Sequence, residues 1–237
     1  MNCIKTIFLT ALFAVTSPFA TSGIINFDKY AAGTIIDNEY SLSHGVTFNG
    51  VNVARNADNL AVIFDTNNYT GGDSDLAAPF FNNSSLGDLS PGNVLILHEN
   101  PSTCNALTCT NPDDEGRRAA GYFNIDFSEA VTLNSIDFFD IESQETNSNT
   151  LVSLFDINGE EISANTFYTP FTGGDNQWAR LDFGISGIYS MQIKLHGSGA
   201  IDNISYTNTK IIVSEPATLA IFALALIGLS TRRFKIS

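Results

Sequence analysis

The sequence predicts an all-β domain, a two-sheet, jelly-roll-like β-sandwich, on three observations. Short segments rich in Val, Ile, Phe and Tyr recur between clusters of Gly, Asn, Asp and Ser. Phe123, Ile125 and Phe127 alternate with Tyr122, Asn124 and Asp126, the period of a strand with one buried face and one wet face. No long helical period appears between residues 23 and 210.

Taken in order, the expected strands are Ile24 to Phe27, Val46 to Ala54, Ala61 to Phe64, Val94 to His98, Ala119 to Phe127, Val131 to Phe139, Leu151 to Asp156, Trp178 to Phe183, Tyr189 to Leu195 and Ala200 to Tyr206. Each is bounded by residues that favour turns. Asn158-Gly159 after Phe155-Asp156 is a hairpin signal, with Glu160 to Ile162 starting the return strand. Strands at this spacing suit two packed sheets better than an open one.

Two connections are long for a compact domain, Asn67 to Asp88 and Glu99 to Arg118. Both are polar, and long loops at one end of a sandwich are where ligands are commonly held. The second contains Cys104 and Cys109, which predict one local disulfide in an oxidising compartment. In the loop-entropy account a bridge this short contributes about 2 kcal/mol and mainly stiffens its own loop.

Between residues 23 and 210 there are seven Lys and Arg against 24 Asp and Glu, a net charge near −17. Such a surface repels nucleic acid and anionic lipid, which excludes nucleic-acid partners, and it suits divalent cations.

The ends carry an address. Lys5, the apolar run Ile7 to Val15 and the small residues Ala20-Thr21-Ser22 read as a secretory signal peptide over 1–22. At the other end, Ser214 is placed as a helix N-cap and Pro216 in the first turn. Ala217 to Leu229 holds no charge and is apolar on every side, which suits lipid or a protein interior. Arg232, Arg233 and Lys235 follow at once, so a transmembrane helix over about 216–230 would leave the sandwich outside.

Together these ends resemble the PEP-CTERM class of bacterial exported proteins, in which Pro-Glu-Pro, an apolar helix and an arginine-rich terminus follow one another. The matching residues are Val213, Glu215, Pro216, Ala217, Thr218, Leu219, Ala220, Gly228, Leu229, Arg232 and Arg233, while Ser214 stands where the class has its first proline. The resemblance implies a sorting tail over 213–237 and two partners, signal peptidase and an exosortase that removes the tail. It also implies a Gram-negative bacterium that makes extracellular polysaccharide, and delivery to the cell surface or beyond it.

A second resemblance lies in the domain. Ile25-Asn26-Phe27-Asp28 with Gly33-Thr34-Ile35, and the ending Gly199-Ala200-Ile201-Asp202-Asn203-Ile204, resemble the opening and closing strands of secreted jelly rolls related to carbohydrate-binding modules. In that group an acidic residue of each terminal strand helps hold a structural calcium, which implies Asp28 and Asp202 here. Asp73 and Asp75 form a second candidate calcium pair, without EF-hand spacing. For either pair the competing reading is an Asp bonded to its own backbone.

Little points to catalysis. His44, His98 and His196 are scattered, with no His-Glu-x-x-His and no Gly-x-Ser-x-Gly. Trp178, the single tryptophan, either packs the core or offers a platform for sugar rings. The expectation is a non-enzymatic exported protein, structural or adhesive at the cell surface or in the matrix, with a glycan as ligand. The alternative is a secreted glycan-active enzyme on the same scaffold.

Overall fold

The described residues of this computed structural model, 19–82, 86–142, 148–162 and 166–210, form nine strands. They are β1 Phe19–Ile25, β2 Val46–Asn52, β3 Ala61–Asp65, β4 Asn93–Leu97, β5 Gly121–Phe139, β6 Leu151–Phe155, β7 Phe167–Tyr168, β8 Trp178–Leu195 and β9 Ala200–Lys210. A single helical turn, α1 Ser41–His44, precedes β2 and stops at Gly45, whose φ of 68° is left-handed. Contacts divide the chain into Thr21–Asn208, the sandwich, and a second unit of Met1–Ala20 and Thr209–Ser237. Residues 1–18 of the 1–22 leader and the sorting tail lie outside the described residues, whereas residues 19–22 belong to β1. No helix among the described residues is long and apolar enough to cross a membrane.

The architecture is all-β and antiparallel, built on a long ribbon of β5 and β8 paired from Gly121↔Leu195 to Phe139↔Trp178. Its two halves have different neighbours within one continuous hydrogen-bonded sheet. Toward Gly121, β2 flanks β5 and β6 flanks β8, with β7 beyond β6. Toward Phe139, β9 replaces β2 beside β5, and β4 and β3 follow; β1 also pairs with β9. Register shifts between Asp126 and Val131, and between Leu133 and Ser135, bend the ribbon from one layer to the other.

This corrects one feature of the sequence reading. The expected pairs 119–127 with 131–139 and 178–183 with 189–195 are each one strand, because the interruptions are bulges. Gly184 and Gly187, at φ 66° and 82°, turn the chain without ending its pairing. The short β7 was not expected either.

One core lies between the layers, with Phe48 of β2, Ile63 of β3, Phe123 and Phe138 of β5, Leu154 of β6, Ile193 of β8 and Ile204 of β9 all in a single buried cluster. Phe123, Ile125 and Phe127 point into it as their alternation requires. Strands β3 and β4 lose alternation, because Val62, Phe64, Val94 and Ile96 are buried in a second cluster on the outer face. Leu76, Phe80 and Cys109 cover that face, so both long loops are folded onto the sheet. Backbones approach closely at Gly50, where a Cβ would overlap the backbone nitrogen of Ala61.

Candidate cation centre

The two loops bring carboxylates together where they meet the end of β5. In the first, Leu76 is fully buried in the outer cluster and anchors the 3₁₀ turn Ser74–Leu76, so Asp73 and Asp75 flank a fixed point. Asn176 locks the turn: its side-chain amide donates to the carbonyls of Ser74 (3.1 Å) and Ala77 (2.6 Å), and its N–H to that of Asp75 (2.9 Å). The second loop is tied to the first by the Thr70 hydroxyl donating to the Pro112 carbonyl at 2.6 Å. This sets Asp113 and Asp114 beside Asp73, and the Asp114 N–H donates to a carboxylate oxygen of Asp73 at 3.1 Å.

Two triads result. Asp73, Asp113 and Asp114 each place an oxygen within 4.8 Å of the others, and Asp75, Asp140 and Asp175 do the same. Ser198 lies between them, its hydroxyl 2.8 Å from Oδ2 of Asp114 and 2.8 Å from Oδ2 of Asp140. One hydroxyl proton serves only one of these contacts at a time. The Gly199 N–H also donates to Asp114. Asp140 is wholly buried, and its Oδ1 has no hydrogen-bond partner among the described residues. Its φ of 55°, tolerated by Asp, aims the side chain back from the end of β5.

Among the described residues, no cationic group pairs with these carboxylates. The ion pairs among the described residues are Arg55 with Glu99 and Glu115, Arg118 with Glu142, and Arg180 with Asp137, none within the triads. Burial, then the charges of Asp114, Asp113 and Asp75, push Asp73 up to about 9. Burial raises Asp114 to about 7, against hydrogen bonds from Gly199 and Ser198, and the charges of Asp140 and Asp75 add to it. Asp140 is pushed to about 7 by burial, with Asp75, Glu142 and Asp175 adding repulsion. Carboxylates in this state take up protons or a cation. An all-oxygen donor set is chemistry for a hard divalent ion.

Of Asp28 and Asp202, expected as a calcium pair, Asp202 lies near the start of β9 and Asp28 follows β1. Asp202 is 1% exposed, and its Oδ1 lacks a partner. Burial raises it to about 8; backbone N–H groups of Asn203 and Phe27 oppose this, and the charges of Asp28 and Asp137 add to it. Asp28 is exposed and accepts the Asn93 N–H at 2.9 Å.

Four further residues find their places. Cys104 and Cys109 are bonded to each other, so their sulfurs offer no thiolate to the nearby His98 as a metal partner. His98 is buried, with Nδ1 3.0 Å from the Asp113 carbonyl and Nε2 2.9 Å from the Thr103 hydroxyl. Trp178 is 4% exposed, stacked on Phe139 at 6.4 Å, and donates its indole N–H to the Gly87 carbonyl at 3.0 Å. The ring therefore packs the core and presents no platform, a correction to that expectation.

Asp113, Asp114, Asp140 and Asp175 were missed as site residues. The run Pro112-Asp113-Asp114 and the Gly174-Asp175-Asn176 turn carried a signal; Asp140 carried only its place after Phe138-Phe139.

No family model and no curated protein matches the chain. Among solved structures it is similar to a fucose binding module of Streptococcus pneumoniae, at 19% identity and TM-score 0.27, covering 41% of this chain and 68% of the other. It is also similar to the lectin domain of lectinolysin complexed with Lewis B antigen, at 10% identity and TM-score 0.26, over 41% and 70%. A third is CpGH89CBM32-6 produced by Clostridium perfringens, at 12% identity and TM-score 0.26, over 47% and 88%.

Proposed function

We propose that this chain is an exported, non-catalytic protein of the cell surface or extracellular matrix, its sandwich a structural or adhesive module with a glycan as ligand. The observation that carries the reading is the Cys104–Cys109 disulfide inside the loop that closes the outer face of β3 and β4. A bridge of this kind persists in an oxidising compartment, which agrees with the signal peptide and sorting tail read from the sequence. Signal peptidase and an exosortase act during export, and Ser214, Glu215 and Pro216 open the segment the exosortase recognises.

Calcium at Asp28 and Asp202 braces the module. Its support is the unpartnered, buried oxygen of Asp202 beside a second carboxylate. Sugar contact falls to exposed rings on the loops, Tyr69, Phe81 and Phe171, at 48%, 50% and 43% exposure. Phe81 is held there by its N–H bond to the Asn176 carbonyl at 2.8 Å.

The test is fractionation of a tagged full chain in an exosortase-bearing host, beside a truncation before Ser214, followed by a screen of the purified protein on extracellular polysaccharides. The expected result is surface or medium localisation that depends on the tail, with binding reduced by Phe81→Ala and no sugar released. Cytoplasmic retention of the intact chain would overturn the export reading. Release of reducing ends would replace the binding module with the glycan-active enzyme.

A further inference from the structure

We infer that the loop end holds a second divalent-cation site, formed by Asp75, Asp140 and Asp175 and suited to calcium. Three segments distant in sequence converge there: the 3₁₀ turn of the first loop, the end of β5, and the Gly174-Asp175-Asn176 turn before β8. One oxygen from each of the three carboxylates lies within 4.8 Å of the others, the span a single ion bridges.

The second, independent observation is Asp140. This side chain is fully buried, and one of its oxygens has no hydrogen-bond donor among the described residues. Buried polar atoms are nearly always paired, and an exception inside a group of carboxylates marks the place of an ion. Its other oxygen is held by the Ser198 hydroxyl at 2.8 Å, so the carboxylate is oriented before any ion arrives.

Donor chemistry selects the ion. Three carboxylates without a nitrogen or sulfur ligand disfavour zinc and copper. Asp140 is buried, Asp75 is half-buried and Asp175 is exposed, so the site opens to solvent on one side. Such a site leaves coordination positions for water and tolerates irregular geometry, which favours calcium over magnesium. Asp73, Asp113 and Asp114 remain as the neighbouring group, with Asp114 bonded by Ser198 and Gly199.

An ion here would add a direct link between three segments that otherwise meet through hydrogen bonds and the apolar contacts of Leu76, Phe139 and Trp178. Calcium therefore acts as a clasp on the loop end. The site shares no residue with the Asp28 and Asp202 pair, so each reading can fail alone.

The experiment measures calcium binding to the purified full chain, using the metal alone, for the wild type and for Asp140→Asn, Asp175→Asn, Asp73→Asn and Asp202→Asn. Asn keeps the shape of each side chain and tolerates the left-handed φ at position 140. Asp175 is exposed, so its variant tests the ligand role without risk to the core. The expected result is two calcium equivalents, one lost in Asp202→Asn and a second that survives it and is weakened about tenfold or more by Asp175→Asn and by Asp140→Asn, with circular dichroism unchanged. Calcium binding untouched by both variants would overturn the assignment, as would loss only in Asp73→Asn, which places the ion in the other triad. A single equivalent, lost only in Asp202→Asn, would overturn this site while upholding the calcium brace.

Discussion

Replacing Arg180 by Met should destabilise the sandwich far more than its surface position suggests. Arg180 of β8 stands opposite Asp137 of β5 in the ribbon register and grips it with two bonds, Nε to Oδ1 at 2.7 Å and Nη2 to Oδ2 at 2.9 Å. The Asp137 side chain is wholly buried, whereas that of Arg180 is 36% exposed. Among the described residues, only the Asn203 amide, at 3.1 Å, also donates to this carboxylate. Removing one partner of a buried pair costs about 3–5 kcal/mol, because the other charge stays behind without compensation. Methionine keeps much of the apolar stem, and its lost guanidinium leaves a path for water, so the lower end, about 3 kcal/mol, is expected here. For a domain of this size that is roughly 6–12 °C in the thermal midpoint. Urea unfolding at pH 7 measures it, followed both by circular dichroism and by fluorescence of the single, buried Trp178. Asp137→Asn on the Met background should recover most of the loss, since the stranded charge is then gone. A loss below about 1 kcal/mol, or no recovery in the double variant, would refute the argument that Asp137 depends on Arg180.

Two further outcomes follow from the structure. Burial holds the His98 imidazole below its ordinary 6.5, against hydrogen bonds to the Asp113 and Asn100 segment. The unfolded chain then binds the proton first, so stability contributed by His98 is present above about pH 6.5 and is lost as pH falls below it; His98→Gln should flatten that limb of the unfolding midpoint against pH. Reducing the Cys104–Cys109 bridge, or changing both residues to Ser, should lower stability by about 2 kcal/mol and deprotect amides of residues 99–118 in hydrogen exchange, with the ribbon unaffected.

How far the fold could be read depended on whether one face of a strand was wet. The first half of β5 and all of β2 alternate strictly, and their pairing from Val46↔Phe127 to Asn52↔Gly121 follows that pattern. Around Asp156 the turn was legible as well, because Asn158-Gly159 has a local mechanism: Asp156 Oδ1 accepts the N–H groups of Asn158 (2.8 Å) and Glu160 (3.0 Å). By contrast, nothing local distinguishes a bulge from a strand end at Ser128-Glu129-Ala130, since the bulge is defined by its partner strand. The same holds for β3, whose unbroken apolar run Val62-Ile63-Phe64 only states that both faces are covered, not by what.

The sequence by itself determined the all-β class, most strand positions, the Cys104–Cys109 partnership and the acidic character of the surface. All of these rest on composition, on period or on residues close in the chain. The tertiary structure alone decided that the two polar loops fold back over β3 and β4, that Trp178 is enclosed, and that Asp75, Asp140 and Asp175 share one place. Those facts depend on contacts between residues tens of positions apart. Burial, which gives Asp140 and Asp202 their chemistry, is a property of packing and has no signature in the residues beside them.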